Sequence, residues 1–269
     1  MLYAVMDTNR TEWLPIYCYV IEHPEGLIVV DTGISAEANR PVYLPPYMRL
    51  VQRAATFDIV PEHEIGPLMR ERGLDPEDVR WVVLTHLHQD HDGGLRFFPN
   101  AEFLVSRREW RVAHGLRGRL AGYLNQRWPD WFEPTLVDFT GAPLQPFEGT
   151  HPVTASGDVR LVPTPGHTSG HMSVVVHEQE HTLLFAGDAA YDQQLLIEDI
   201  ADGVGTDPAT EHQTHEMILQ LAAEDSLVFL PTHDWEAKRR LHRRETISAE
   251  FTAARPNETL YPEVEPEPL

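Results

Sequence analysis

Four short apolar runs in this chain each end on a histidine or an aspartate, and that repeated layout constrains the fold more than any other feature. Trp81 to Leu84 runs into Thr85-His86-Leu87-His88-Gln89-Asp90-His91. Arg160-Leu161-Val162 leads to Pro165-Gly166-His167, Thr182 to Ala186 leads to Gly187-Asp188, and Leu227 to Leu230 leads to Pro231-Thr232-His233. Short apolar runs bounded by turn residues read as buried strands. A polar side chain just past a strand end is held by a rigid sheet, so several such ends can present their groups to one cleft.

The remaining pattern is of strands alternating with helices, which predicts sheets covered by helices. Leu14 to Glu22 alternates, His23-Pro24-Glu25-Gly26 is a turn, and Leu27 to Val30 is an apolar strand ending in Asp31-Thr32-Gly33, which together predict a hairpin. Pro61 to Arg72 reads as a helix with Ile65, Leu68 and Met69 on one face and Gly73 as its cap. Asp207-Pro208 opens a second helix, in which Met217, Ile218, Leu221 and Ala222 face the core. No internal repeat interrupts this order. One folded domain is expected over residues 1–255, followed by an acidic, proline-rich tail over 256–269.

The formal net charge is −21. A field of that sign repels polyanions, so neither nucleic acid nor an anionic membrane is an expected partner. No apolar run approaches the roughly 20 residues that span a bilayer, and the N-terminus lacks the layout of a secretory signal. A cytoplasmic location is the expectation. Cys18 is the only cysteine, which excludes an intrachain disulfide and a cysteine-built zinc site. Its place in the apolar run Ile16 to Val20 makes it a small buried hydrophobe rather than a nucleophile.

His86-x-His88-x-Asp90-His91 is the strongest local signal. Imidazole and carboxylate suit zinc, manganese, cobalt or iron, and no thiolate is offered. Two histidines at spacing two can aim at one point, while Asp90 and His91 are displaced enough to serve a second. Gly93-Gly94 lets the backbone pack closely as the next helix begins. His151, His177 and His181 read as surface histidines of an acidic protein, and His171 as a buried hydrogen-bonding group.

These segments, with Thr164-Pro165-Gly166-His167-Thr168, Gly187-Asp188 and Thr232-His233-Asp234, resemble the metal motifs of the metallo-β-lactamase superfamily, in order and spacing. The resemblance covers roughly residues 13–240. It implies an α/β fold, a four-layer αββα sandwich, with two divalent metal ions at one edge of the two sheets. Zinc is the expected metal, with manganese, cobalt or iron as alternatives. The resemblance also implies that His86, His88 and His167 hold one ion, that Asp90, His91 and His233 hold the other, and that Asp188 bridges them. Asp31 resembles the family's acid that orients a ligand.

A pair of divalent ions about 3.5–4 Å apart can share a hydroxide and serve many hydrolyses, so the fold does not choose the reaction. True β-lactamases carry cysteine or serine where Asp188 stands. The phosphodiesterase and tRNA-processing branch usually adds basic residues for phosphate, whereas the one lysine here is Lys238. Glyoxalase II grips its thioester with an added helical domain, and only a short helix and the tail follow His233. The chain is most similar to the N-acyl homoserine lactonases, in Leu14-Pro15-Ile16-Tyr17-Cys18-Tyr19, in Val30-Asp31-Thr32-Gly33, and in Tyr191, three residues past Asp188. A small-molecule lactone is therefore the expected substrate, with Asp90 and Tyr191 as catalytic residues. A thioesterase or a phosphodiesterase on the same scaffold is the alternative.

Residues 41–57 and 115–132 are rich in aromatics and proline. Tyr43, Tyr47, Met48, Tyr123, Trp128, Trp131 and Phe132 are candidates for an apolar acyl pocket. Packing on the fold and a homodimer contact are the other readings of the same residues.

Overall fold

The computed structural model describes residues 13–40, 43–44, 57–115, 118 and 122–247. The acidic tail, the boundary at residue 255, Tyr47 and Met48 lie outside them. Among the described residues, ten strands form two five-stranded sheets. The first runs β1 (Tyr19–His23), β2 (Gly26–Val30), β3 (Val79–Leu84), β4 (Glu102–Ser106), β5 (Thr135–Val137). Beyond the antiparallel β1–β2 hairpin its neighbours are parallel. The second comprises β6 (His151–Pro152), β7 (Val159–Pro163), β8 (Met172–His177), β9 (Thr182–Gly187) and β10 (Leu227–Pro231), in the order β10-β9-β8-β7-β6. The helices are α1 (Ile65–Glu71), α2 (Gln89–Asp92), α3 (Arg107–His114), α4 (Gln193–Glu198), α5 (Pro208–Glu224) and α6 (Ala237–Arg243).

The period-two alternation of the strands produces the layers. On β3, Trp81 and Val83 turn between the sheets and join Leu161, Val174, Phe185 and Leu230. Val82 and Leu84 turn the other way, onto Ile65 and Met69 of α1 and Ala113 of α3. The outer face of the second sheet does the same with Val175, Leu184 and Phe229, which pack on Leu196 of α4 and Ile218 and Leu221 of α5. The result is the expected α/β/β/α sandwich. Each fully buried side chain of this size contributes roughly 1.5–3 kcal/mol of apolar transfer, so the two sheets and their covering helices are mutually dependent.

Three local expectations are corrected. The front strand starts at Tyr19 rather than Leu14. Pro15 has no N–H to give, and the Tyr17 N–H is spent on the Thr232 carbonyl at 3.0 Å, beside the end of β10. The segment Pro61 to Arg72 is a 3₁₀ turn over Pro61–His63 and then α1, with Glu64 extended between them. Glu64 is drawn out of a helix because its buried carboxylate takes the Ala36 N–H at 2.7 Å and pairs with Arg96. Leu68 is consequently half-buried instead of in the core. Finally, the α-helix near the histidine cluster, α2, precedes Gly93-Gly94, and what begins after them is a 3₁₀ turn over Leu95–Phe97. The glycines are still required for close approach: a Cβ on Gly93 would collide with the Ser35 nitrogen, and one on Gly94 with the Thr32 carbonyl.

Candidate metal centre

The C-terminal ends of β3, β7, β9 and β10 all open on the same edge of the sandwich. The exit of β3 is tied to the second sheet by the Met172 N–H on the Thr85 carbonyl at 3.0 Å. His86, His88, His91, His167, Asp188 and His233 converge there, with Asp90 on α2 at the rim. His86, His91, His167, Asp188 and His233 are buried, while His88 and Asp90 are half-buried.

Outer hydrogen bonds decide which ring nitrogens face inward. Carboxylates and backbone carbonyls only accept, so a histidine nitrogen against one must carry the proton. The Nδ1 of His91 lies 2.8 Å from Asp31 Oδ2, that of His167 lies 2.6 Å from Asp202 Oδ2, and that of His233 lies 2.8 Å from the Pro15 carbonyl. Thr85 gives its hydroxyl proton to Asp31 at 2.8 Å, so its oxygen accepts from His86 Nδ1 at 3.2 Å. Four imidazoles therefore turn Nε2 to the centre. His88 is turned the other way and presents Nδ1.

The inward atoms form two groups around one aspartate. His88 Nδ1 lies 3.0 Å from His86 Nε2 and 3.0 Å from His167 Nε2. Around a tetrahedral zinc with Zn–N bonds of about 2.0–2.1 Å, neighbouring nitrogens are about 3.3 Å apart, so this triad matches the size of such a site. The second group has His233 Nε2 3.5 Å and His91 Nε2 3.8 Å from Asp90 Oδ2. Asp188 lies between: one oxygen is 3.5 Å from His167 Nε2 and 3.3 Å from His233 Nε2, and the other is 3.3 Å from His91 Nε2.

Nothing in the protein satisfies several of these atoms. His91 Nε2, His233 Nε2 and Asp188 Oδ1 are buried with no hydrogen-bond partner, which costs roughly 1–3 kcal/mol apiece unless a cation or water meets them. Burial pushes His86 well below its ordinary pKa and His88 down to about 3, which keeps both rings neutral, as a metal ligand must be. Burial works against charge on Asp188, but His233 and His91 outweigh it and hold the carboxyl well below its usual range. Against burial, Asp188 and the neighbouring carboxylates push His91 well above its ordinary pKa and raise His233, and Asp202 and Asp188 push His167 up to about 9. Positive charge thus gathers around the buried anion where a divalent cation would sit, and a cation there would displace those protons.

Two further carboxylates, absent from the reading of the sequence, brace this arrangement. Glu109 on α3 is fully buried and accepts from the Leu87 N–H at 3.1 Å, the Tyr123 hydroxyl at 2.8 Å and the Thr168 hydroxyl at 2.8 Å. It thereby joins the loop carrying His86 and His88 to the loop carrying His167. Asp202 orients His167 and is itself fixed by its own N–H on Glu211 at 2.7 Å. Neither residue sits at a motif spacing; Glu109 stands among Arg107, Arg108 and Arg111, where an acid reads as an ordinary exposed helix residue.

The other sequence expectations divide. Asp31 occupies the orienting position. His171 is buried and hydrogen-bonds the Asp188 N–H at 3.0 Å and the Thr164 hydroxyl at 2.8 Å, as expected. Tyr191 lies beside two of these rings, its ring centroid 4.6 Å from that of His233 and 5.9 Å from that of His167. Cys18 is half-buried and burial pushes its thiol up, so it is inert. His151, His177 and His181 are half-buried away from the centre. Of the pocket candidates, Tyr123 and Phe132 are core residues, and Trp128 stacks on Trp110 and donates to Asp92 at 2.6 Å. They pack the fold rather than wall a cavity. Tyr43 is buried against Leu124, and Trp131 is exposed.

No helix among the described residues is long and apolar enough to cross a membrane. Comparison with known proteins agrees with the geometry. An N-acyl homoserine lactonase of Bacillus thuringiensis is 27% identical over 229 residues, 84% of each chain. A "probable metallo-hydrolase" of Mycobacterium tuberculosis is 34% identical over 191 residues, which is 68% of this chain and 60% of the relative. The crystal structure of an N-acyl homoserine lactone hydrolase, with the product N-hexanoyl-L-homoserine bound at the catalytic metal center, superposes with a TM-score of 0.65 at 26% identity, covering 84% of both chains. Residues 11–233 match the family model of the metallo-β-lactamase superfamily, and the chain belongs to that superfamily of metal-dependent hydrolases.

Proposed function

We propose that this protein is a dinuclear metal-dependent lactone hydrolase that opens the ring of N-acyl homoserine lactones. His86, His88 and His167 would hold one ion and Asp90, His91 and His233 the other, with Asp188 shared, zinc being the expected metal. Two ions so held would supply a nucleophile at neutral pH and stabilise the charge of the reaction. The observation that carries the choice of substrate is Tyr191, whose ring lies beside both His167 and His233.

In the reaction, oxygen from water adds to the lactone carbonyl carbon and the ring C–O bond breaks, leaving a carboxylate and an alkoxide that takes up a proton. Burial, with Asp188 beside it, keeps the Tyr191 phenol well above its ordinary pKa. It stays protonated and can donate to the carbonyl oxygen as charge grows there. Asp90, at the rim and 3.5 Å from His233, would carry the proton to the departing alkoxide, whose high intrinsic pKa makes protonation necessary.

The test is proton release from N-acyl homoserine lactones of several chain lengths, beside a thioester and a phosphodiester. Turnover of lactones above the others supports the assignment; preference for either competitor removes it. For Asp90, the informative variant is metal-replete Asp90→Asn: near-normal kcat there rules out the proton-carrying role.

A further inference from the structure

Outside the seven-residue cluster, two histidines of α5 and the residue that ends α4 form a second convergence of ligand atoms. His212 and His215 lie three positions apart and so share a face of the helix. Asp199 follows α4 directly and is one of three non-glycine residues with positive φ among the described residues, at 52°. Its Oδ1 lies 2.7 Å from His212 Nδ1 and 3.1 Å from His215 Nδ1.

The hydrogen bonds of His215 are inconsistent with a neutral ring that has only protein partners. The ring is fully buried, and its Nε2 faces the Ala189 carbonyl at 3.0 Å. That carbonyl can only accept, so Nε2 carries the proton and Nδ1 is a lone pair. The lone pair then points at a carboxylate oxygen, acceptor against acceptor. A doubly protonated ring would also resolve the conflict, but burial opposes that charge and, against the Asp199 and Ala189 contacts that favour it, pushes His215 below its ordinary pKa. His212 offers no relief, because it meets the same oxygen from the exposed side. A cation between the three atoms resolves it.

We propose that Asp199, His212 and His215 form a third divalent-cation site, two imidazoles and one carboxylate with the remaining positions open to water. The donor set suits zinc. The site shares no donor with the seven-residue cluster. It would clip the end of α4 to the first half of α5, across the loop whose Asp202 holds His167 and whose Thr206 N–H meets the His167 carbonyl at 2.9 Å. Its role is to fix that loop, so occupancy stabilises the protein without entering the chemistry.

The test uses the full-length protein equilibrated with low-micromolar zinc, then freed of excess and assayed for zinc per chain. His212→Ala is the primary variant, because the side chain is 43% exposed and alanine favours a helix. Asp199→Asn is the second, since asparagine also tolerates positive φ. The parent is expected to hold one more zinc per chain than either variant, and to melt at a higher temperature than either when zinc is present. An anomalous zinc peak among these three residues is the direct confirmation. Equal zinc content in parent and both variants, or an anomalous signal confined to the seven-residue cluster, overturns the proposal. The readout is a difference in bound metal, so it stands or falls independently of which substrate the enzyme cleaves.

Discussion

The Nδ1 of His91 lies 2.8 Å from Oδ2 of Asp31, and the same carboxylate takes the backbone N–H and the hydroxyl of Thr85, each at 2.8 Å. One acid at the end of β2 thus fixes the tautomer of one inward histidine directly and, through Thr85, that of His86. Asp31 is itself held at a φ of 57°, a conformation that asparagine also accepts. Asp31→Asn is therefore expected to fold but to orient both rings less firmly. Competition with a chelator should show metal affinity lower by about 10- to 100-fold. An unchanged affinity would reduce Asp31 to a backbone tie.

Glu109 makes a different prediction, because it braces loops rather than a ring. Glu109→Ala would leave buried donors on Leu87, Tyr123 and Thr168 unmet, at a cost of about 2–5 kcal/mol in unfolding free energy. Glu109→Gln keeps an acceptor and should recover part of it. Burial raises the Glu109 pKa, against hydrogen bonds that lower it. The folded state therefore binds this proton more tightly than the unfolded one. The stabilising effect is complete below the unfolded value of about 4.3 and is lost as pH rises through the raised folded value. Urea midpoints of metal-free parent and Glu109→Gln, compared across that window, should differ more at the acid end. A gap that widens with rising pH contradicts the assignment.

Tyr191 separates the lactonase reading from the other hydrolases of this fold. Tyr191→Phe removes one donor to a developing oxyanion while leaving every metal-facing atom in place. The expected loss is on the order of 10- to 1,000-fold in both kcat and kcat/KM on lactones, toward the low end because bound metal would carry most of the charge. Metal content should not change. A Phe variant as active as the parent would make Tyr191 a packing residue.

The convergence of the candidate ligands was legible in the sequence wherever one follows an apolar strand, since strand ends converge by the geometry of the sheet. Asp31 and His171 were legible for the same reason, lying just past β2 and just before β8. Glu109 and Asp202 were not. Each is a single acid reached through a tertiary fold, with no spacing to mark it: Asp202 meets the outer nitrogen of His167, and Glu109 the Leu87 backbone. The start of β1 was misjudged because alternation in Leu14 to Tyr17 reflects packing beside β10 rather than pairing with β2. The aromatic segment over residues 115–132 was ambiguous because tryptophan and tyrosine serve cores and pockets alike; hydrogen bonds from Trp128 to Asp92 and from Tyr123 to Glu109 place both in the fold.

The most direct test of the account is kcat/KM for ring opening of an N-acyl homoserine lactone by the zinc-loaded parent, measured beside Asp188→Asn with zinc counted in both. Asp188 has oxygens within 3.5 Å of His167 in one triad and of His91 and His233 in the other, and a neutral amide in its place cannot balance two cations. The account predicts kcat/KM of at least about 10⁴ M⁻¹ s⁻¹ for the parent, lost to chelator and restored by zinc. It predicts a variant that has lost two zinc ions per chain and falls to background. A parent that leaves lactones intact with its metals bound, or an Asp188→Asn variant that keeps both metals and full turnover, would contradict it.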